Sequence, residues 1–328
     1  MLNLFFLSIL QLLYVLALAP LAVGILHVFD ERLSSRRGPS IFQEYYNLFK
    51  FFRKQSIYPK TASGFFSYVP YITFGMYLFL TLVLPIITAF PLLFGPVVDF
   101  VGGGLVFGAA STFLKLASLD SRNSYSILGA SRASSIGIFT EPIILLIFIM
   151  FGVISGTNNP YVINNILQTS TNWFFSLVHL FVGVAFFLVL IIETGQLPIE
   201  SHTPNEFGSI DSLMSLEYSG RELALLKWGS YIKSFLLMNV FLNVFTLPFF
   251  VPMKFNILAI VLYMFINFLK IILLLAIFAI INNVVSKYRL FKIFDYILIA
   301  FSFALMAMVV FYVVNGCLLY TSPSPRDS

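Results

Sequence analysis

"NILAIVLYMFINFLKIILLLAIFAIIN", residues 256–282, carries one charge, Lys270, and neither glycine nor proline. About 20 mainly apolar residues, rising 1.5 Å each, are what a helix needs to cross the hydrocarbon layer of a bilayer. Segments of the same kind recur on both sides of this one, at roughly 2–29, 68–92, 97–118, 136–156, 172–193, 227–251 and 293–316. The apolar runs show neither two-residue alternation nor evenly spaced hairpin turns, which argues against a barrel. The chain therefore reads as an all-α integral membrane protein with about eight transmembrane helices. Segment 97–118 fits least well, because Gly102, Gly103 and Gly104 open it and Lys115 sits near its end.

Composition agrees. The chain is 59% hydrophobic and 10% charged, with a mean hydropathy of +0.94, well above the apolar share of roughly 45–50% in soluble domains. The pI of about 9.2 does not point to nucleic acid, since the cations follow hydrophobic segments and no soluble basic domain presents them. The single cysteine, Cys317, excludes an iron–sulfur cluster, thiolate-bound nickel or structural zinc on this chain, each of which needs several ligands. His27, His179 and His202 lack metal-ligand spacing.

Lysine and arginine set the orientation. Arg32, Arg36, Arg37, Lys50, Arg53, Lys54 and Lys60 fall between the first two segments, Arg122 and Arg132 between the third and fourth, Arg221 between the fifth and sixth, and Lys287, Arg289 and Lys292 before the last. The opposite connections hold only Lys254. The positive-inside rule then puts both termini outside and the long loops on the cytoplasmic side of a cell inner membrane. One polytopic domain is expected over 1–316, with cytoplasmic loops at 30–67, 119–135, 194–226 and 283–292. No basic residue precedes the first segment, which suits a retained helix better than a signal peptide.

The first loop is longer than orientation requires. In "IFQEYYNLFKFFRKQ", residues 41–55, Ile41, Tyr45, Leu48, Phe49 and Phe52 recur near helical spacing, with Glu44, Asn47, Lys50 and Arg53 off that face. This predicts an amphipathic helix lying in the interface, either a membrane-surface anchor or a dock for a cytosolic partner. The acidic loop from Glu193 to Ser230 carries Leu213, Met214 and Leu216, apolar residues expected to fold against something. At the other end, "LLYTSPSPRDS" changes character abruptly and looks like translated adapter sequence, so Cys317 and the residues after it read as non-native.

Ionisable groups at membrane depth cost about 2.5–3.5 kcal/mol on insertion scales and are seldom idle. Glu141 lies inside the fourth segment before Pro142, Glu193 closes the fifth, Lys233 enters the sixth on the face of Lys227, and Lys270 sits mid-segment. These four are the candidate proton path. The competing reading pairs Glu141 and Glu193 permanently with Arg132, Lys115 or Lys233, and lets Lys270 snorkel or bond to Asn267. No P-loop or nucleophile elbow occurs, and "GGG" at 102–104 lacks the Lys-Ser/Thr that follows in a P-loop.

"RRGPSIFQEYYNLFKFFRKQ", "LKLASLDSRNSYSILGASRASSIGIFTEP" and "ETGQLPIE" through "LEYSGRELALLKWGSYIK" together resemble a known family. It is the membrane subunit shared by group 4 NiFe hydrogenases (formate hydrogenlyase among them) and respiratory complex I, where it is NADH dehydrogenase subunit 1. The resemblance reaches residue 312 or so, and the motifs look more like the hydrogenase branch. It implies a subunit without a redox cofactor or catalytic residue of its own, anchoring a hydrogenase large subunit and an iron–sulfur small subunit beside antiporter-like membrane subunits. The NiFe centre and iron–sulfur clusters would sit on those partners. Carried over by position, the docking and functional residues are Arg36, Arg37, Gly38, Pro39, Arg132, Glu141, Glu193, Pro198, Glu200, Glu206 and Glu217. Two departures stand out: Ala133 where many hydrogenase-type relatives have Glu, and "ESHTPNEFGSIDS" after Pro198 where they carry a denser acidic or His-Glu pattern. The alternative within the family is the quinone-chamber subunit of complex I.

Overall fold

A computed structural model describes residues 2–95, 97–169, 176–196, 213–246, 248, 251–253, 255–286 and 290–321. Helices follow in the order α1 (Leu2–Leu33), α2 (Gln43–Phe52), α3 (Gly64–Val83), α4 (Phe100–Asp120), α5 (Ser124–Ser155), α6 (Pro160–Thr169), α7 (Leu177–Glu193), α8 (Gly220–Val240), α9 (Ile257–Val284) and α10 (Leu290–Thr321). Among the described residues there is no strand. Each of the eight apolar segments contributes a helix, and among the described residues six helices are long and apolar enough to cross a membrane. The other two differ for physical reasons. α7 has 17 residues, about 25 Å of rise, while α8 carries Arg221, Glu222, Lys227 and Lys233.

Local chemistry sets the starts. Ser63, Asp99, Asn123, Ser176 and Asn256 each accept a hydrogen bond from a backbone N–H in the first turn of α3, α4, α5, α7 and α9, the usual N-cap role of short polar side chains. α8 is the hub. It packs on α1, α2, α3, α7 and α9, and its C-terminal end passes into a π-helical turn at Phe241–Thr246. α4 lies between α3 and α5, and α10 lies along α7 and α5.

Several boundaries differ from expectation. The second segment reads as apolar to residue 92, yet α3 stops at Val83 because Leu84 precedes Pro85 and turns extended. Residues 84–89 are nonetheless buried. Their polar groups are met by distant side chains: Gln11 Nε2 donates to the Thr81 and Leu84 carbonyls at 2.6 and 2.8 Å and Gln11 Oε1 accepts from Ile87 N at 3.4 Å. Asn243 Nδ2 serves Ile86 O at 3.3 Å. Non-helical backbone at membrane depth survives only when satisfied in this way. The 119–135 connection is mostly helix, since α5 begins at Ser124, so Arg132 sits on α5 and not in a loop. α6 was not anticipated, and α8 begins inside the expected 194–226 loop.

The amphipathic helix is present as α2, and its buried side takes in Glu44 besides Leu48 of the predicted apolar face. Glu44 and Leu48 are buried, whereas Phe49 is 64% exposed and Ile41 40%. Glu44 turns inward because it has partners there. His27 Nδ1 of α1 lies 3.4 Å from one carboxylate oxygen, and the Tyr231 hydroxyl of α8 donates to the other. Burial pushes the Glu44 carboxyl up, but hydrogen bonding to His27 and Tyr231, the charge of His27 and Asn47 more than reverse this and hold it at about 2.

Candidate functional site

Four helices bring opposite charges together. On α4, Ser111 and Lys115 are four residues apart and share a face. α5 supplies Gly137, Thr140 and Glu141, α7 ends on Glu193, and α8 contributes Lys233. Lys115 Nζ lies 2.8 Å from Glu141 Oε1, which also accepts from Ser111 Oγ at 2.8 Å. Lys233 Nζ lies 2.6 Å from Glu193 Oε2, and Thr140 Oγ1 donates to Glu193 Oε1 at 3.1 Å. Thr140 and Glu141, consecutive on α5, thus each serve one of the two ion pairs. Gly137 makes room for the first pair, because a Cβ there would fall 2.5 Å from Lys115 Nζ and 3.2 Å from Glu141 Oε1.

Two cavities meet at this cluster. The larger, of about 360 Å³, extends along α8 from Lys227 to Met238 and is bordered by His27, Tyr231 and Gln196. The smaller, of about 190 Å³, lies between α4 and α5 against Gly104, Gly108 and Thr112. Ser111, Glu141, Glu193 and Lys233 line both. Two close pairs of opposite formal charge cancel at this junction, which is what makes it tolerable at membrane depth.

Of the sequence candidates, Glu141, Glu193 and Lys233 come together here and Lys270 does not. Lys270 is 8% exposed on α9, with its ammonium 5.2 Å from the Tyr263 ring centroid, and lines neither cavity. The competing fixed-pair reading is correct in its geometry for Lys115 and Lys233. Arg36, Arg37 and Pro39 are exposed in the turn after α1 and Gly38 is half-buried there. Glu217 accepts a hydrogen bond from Asn123 Nδ2, and Arg132 is half-buried on α5. Pro198, Glu200 and Glu206 lie outside the described residues, as does His202. Ser111, Gly137 and Thr140 were missed. The only signal for them was helical spacing from Lys115 and Glu141.

The chain leaving α2 is fastened to the start of α8. Ser219 Oγ accepts from Ile57 N at 2.8 Å and donates to Ile57 O at 3.1 Å, and the Tyr58 hydroxyl donates to Glu222 Oε1 at 2.6 Å. The hydrogen bond to Glu222, reinforced by desolvation, pushes the Tyr58 phenol up to about 12. Lys227 Nζ lies 5.1 Å from the Phe51 ring centroid of α2. Loop, α2 and α8 are therefore tied together as one unit.

Against known proteins, the NADH dehydrogenase family model matches residues 7–313. The chain belongs to the NADH dehydrogenase family. Among its relatives is formate hydrogenlyase subunit 4 of Escherichia coli (strain K12), 31% identical over 244 residues, covering 72% of this chain and 76% of that protein. Hydrogenase-4 component C of the same organism is 29% identical over 270 residues, 80% of this chain and 82% of the relative. A subunit of the NADH-quinone oxidoreductase of Rickettsia rickettsii (strain Iowa) is 28% identical over 210 residues, 60% of this chain and 59% of the relative. The fold matches a chain of the membrane-bound sulfane sulfur reductase, an archaeal respiratory membrane complex, with a TM-score of 0.75 at 19% identity over 93% of this chain and 99% of that one. Within the NADH dehydrogenase family, then, this is a multi-pass membrane protein whose relatives are subunits of formate hydrogenlyase, hydrogenase-4 and NADH-quinone oxidoreductase.

Proposed function

We propose that this chain is the membrane-anchoring, proton-translocating subunit of an energy-converting hydrogenase or formate hydrogenlyase complex. The observation that carries the reading is the double ion pair Lys115–Glu141 and Glu193–Lys233 at the junction of two cavities. A proton added to Glu141 releases Lys115, and a proton added to Glu193 releases Lys233. The hydroxyls of Ser111 and Thr140 each donate to one of these carboxylates, and in this reading they relay protons between the pairs through water in the cavities. The loops of the basic face, from Arg36 to Lys60 and from Glu193 to Glu222, dock a hydrogenase large subunit and an iron–sulfur small subunit, with antiporter-like subunits alongside in the membrane. That face is cytoplasmic by the positive-inside rule.

Redox turnover in the docked subunits shifts charge at the mouth of the larger cavity and thereby biases the two pairs. In the reconstituted complex, Glu141→Gln should abolish coupled proton movement and leave dye-linked hydrogen chemistry intact. Unchanged coupling would sink the role assigned to Glu141. A second reading, a quinone chamber of complex I type, is favoured by the size and mixed lining of the cavity between His27, Tyr231 and Met214. The purified complex discriminates between them: nickel with dye-linked H2 evolution supports the first, while flavin with quinone-dependent NADH oxidation supports the second.

A further inference from the structure

At the far end of the larger cavity, α1, α8 and α9 enclose a second polar cluster that includes one amine. Asn239 of α8 lies six residues beyond Lys233, roughly 9 Å along the helix, and its Oδ1 accepts from Asn267 Nδ2 at 2.8 Å. Asn267 and Lys270 are three residues apart on α9 and therefore neighbours on one face. From the Lys270–Tyr263 contact the polar side chains continue in the other direction. The Tyr263 hydroxyl donates to Asn243 Oδ1 at 2.7 Å, Asn164 Nδ2 of α6 donates to the Asn243 carbonyl at 3.0 Å, and Gln168 Nε2 donates to Asn164 Oδ1 at 2.6 Å. Asn164, Asn243, Tyr263 and Asn267 are each at most 1% exposed, whereas Gln168 is half-buried at the end of α6.

The direction of this file is fixed by α9. Its last turn joins the α2 face, where Asn282 Nδ2 donates to Asp30 and Ser34 Oγ donates to Asn283 Oδ1 at 2.7 Å. Its first turn is on the opposite side, with α6. The larger cavity is lined by His27 and Tyr231, the partners of Glu44, and reaches Met238 and Leu275, next to Asn239 and little more than one turn short of Lys270. Hydrogen bonding between helices would account for the amides and the tyrosine as glue. It does not account for a lysine among them, nor for Asn267 Oδ1, which is buried with no hydrogen-bond partner among the described residues and so offers an acceptor for a proton-carrying water.

We propose that Lys270, flanked by Asn267 and Tyr263, is the station of an outlet branch that carries protons from the Glu193–Lys233 end of the cavity to the α6 face. The ammonium gives one proton to water on the Tyr263, Asn243 and Asn164 side and becomes an amine. It is recharged by one proton arriving past Asn239 and Asn267. The amides and the tyrosine orient the water and do not ionise. This branch rests on the proton-translocating reading above and adds an exit to it.

The test uses the whole complex in liposomes, measuring protons translocated per dye-linked turnover for Lys270→Met, Lys270→Arg, Tyr263→Phe and Glu141→Gln, with assembly checked by size-exclusion chromatography. Expected is at least a tenfold loss of translocation per turnover in Lys270→Met, partial rescue in Lys270→Arg, and at least a threefold loss in Tyr263→Phe, which removes one hydroxyl and keeps the ring. Should Lys270→Met fail to assemble, Tyr263→Phe decides alone. Wild-type translocation in Tyr263→Phe and in any assembled Lys270→Met, beside a dead Glu141→Gln, would overturn the branch and leave the earlier reading standing. Wild-type translocation in Glu141→Gln with Lys270→Met inactive would overturn the role of Glu141 and keep the branch.

Discussion

Replacing Gly220 by alanine tests how the basic loop is locked to α8. Gly220 has φ +57°, and a Cβ there would lie 2.8 Å from Gln55 C, Gln55 O and Ser56 N. The left-handed backbone alone costs a non-glycine residue about 1–2 kcal/mol. The three close atoms are all backbone and cannot swing aside, so overpacking adds about 1–3 kcal/mol. Gly156 is the internal control. It has φ +69° and nothing within 4 Å of the added Cβ, so Gly156→Ala should register only the first contribution. The readouts are thermal unfolding in mild detergent and native-state trypsin cleavage at Arg53, Lys54 and Lys60, which are exposed beside the latch. A loss of about 2 kcal/mol from local stability raises the open population about 30-fold, so Gly220→Ala should be cut in this stretch at least about 30 times faster than wild type. Equal thermal losses in the two alanine variants, with no faster cleavage in Gly220→Ala, would refute the close approach of residues 55–56 to α8 as a source of stability.

Lys233→Met leaves the Glu193 side chain, 15% exposed, beside an apolar chain and should destabilise the protein by about 3–5 kcal/mol, most of it recovered in Glu193→Gln/Lys233→Met. Additive losses in the double-mutant cycle would show the pair to be uncoupled. Gln11→Leu strips partners from the Thr81 and Leu84 carbonyls and from Ile87 N, each orphan group costing about 1–3 kcal/mol; amide exchange at Ile87 should accelerate, and wild-type protection there would contradict the bracket. Glu44 is held at about 2 against an ordinary 4.5, so its contribution is fully present above pH 4.5 and is lost as pH falls toward 2. Trp228 fluorescence, sensitive to α2 through the Phe52 ring 6.1 Å away, should change across that window in a Trp173→Phe background and be flat there in Glu44→Gln.

What could be read from the sequence follows what is local. A run such as 256–282 determines a spanning helix because burial in lipid depends on the residues of the run itself, and the N-caps Ser63, Asp99, Asn123, Ser176 and Asn256 act within their own first turn. The charges at membrane depth were equally legible, since each is anomalous against its immediate neighbours. The family motifs were legible as strings.

Which cation meets which carboxylate was not. Arg132, Lys115 and Lys233 were all open as partners for Glu141 and Glu193, and only the packing of α4 against α5 and of α7 beside α8 selected Lys115 for one and Lys233 for the other. Residues 84–89 read as helix because hydropathy cannot see that Gln11 and Asn243, far away in the chain, supply the hydrogen bonds an extended segment needs. Glu44 read as a solvent-facing residue for the same reason: its partners His27 and Tyr231 belong to other helices. Sequence by itself determined which stretches of this chain are apolar enough to enter a bilayer. Tertiary structure alone decided which polar groups could stay there, because a buried charge or amide is stable only in the presence of a partner that the chain brings from elsewhere.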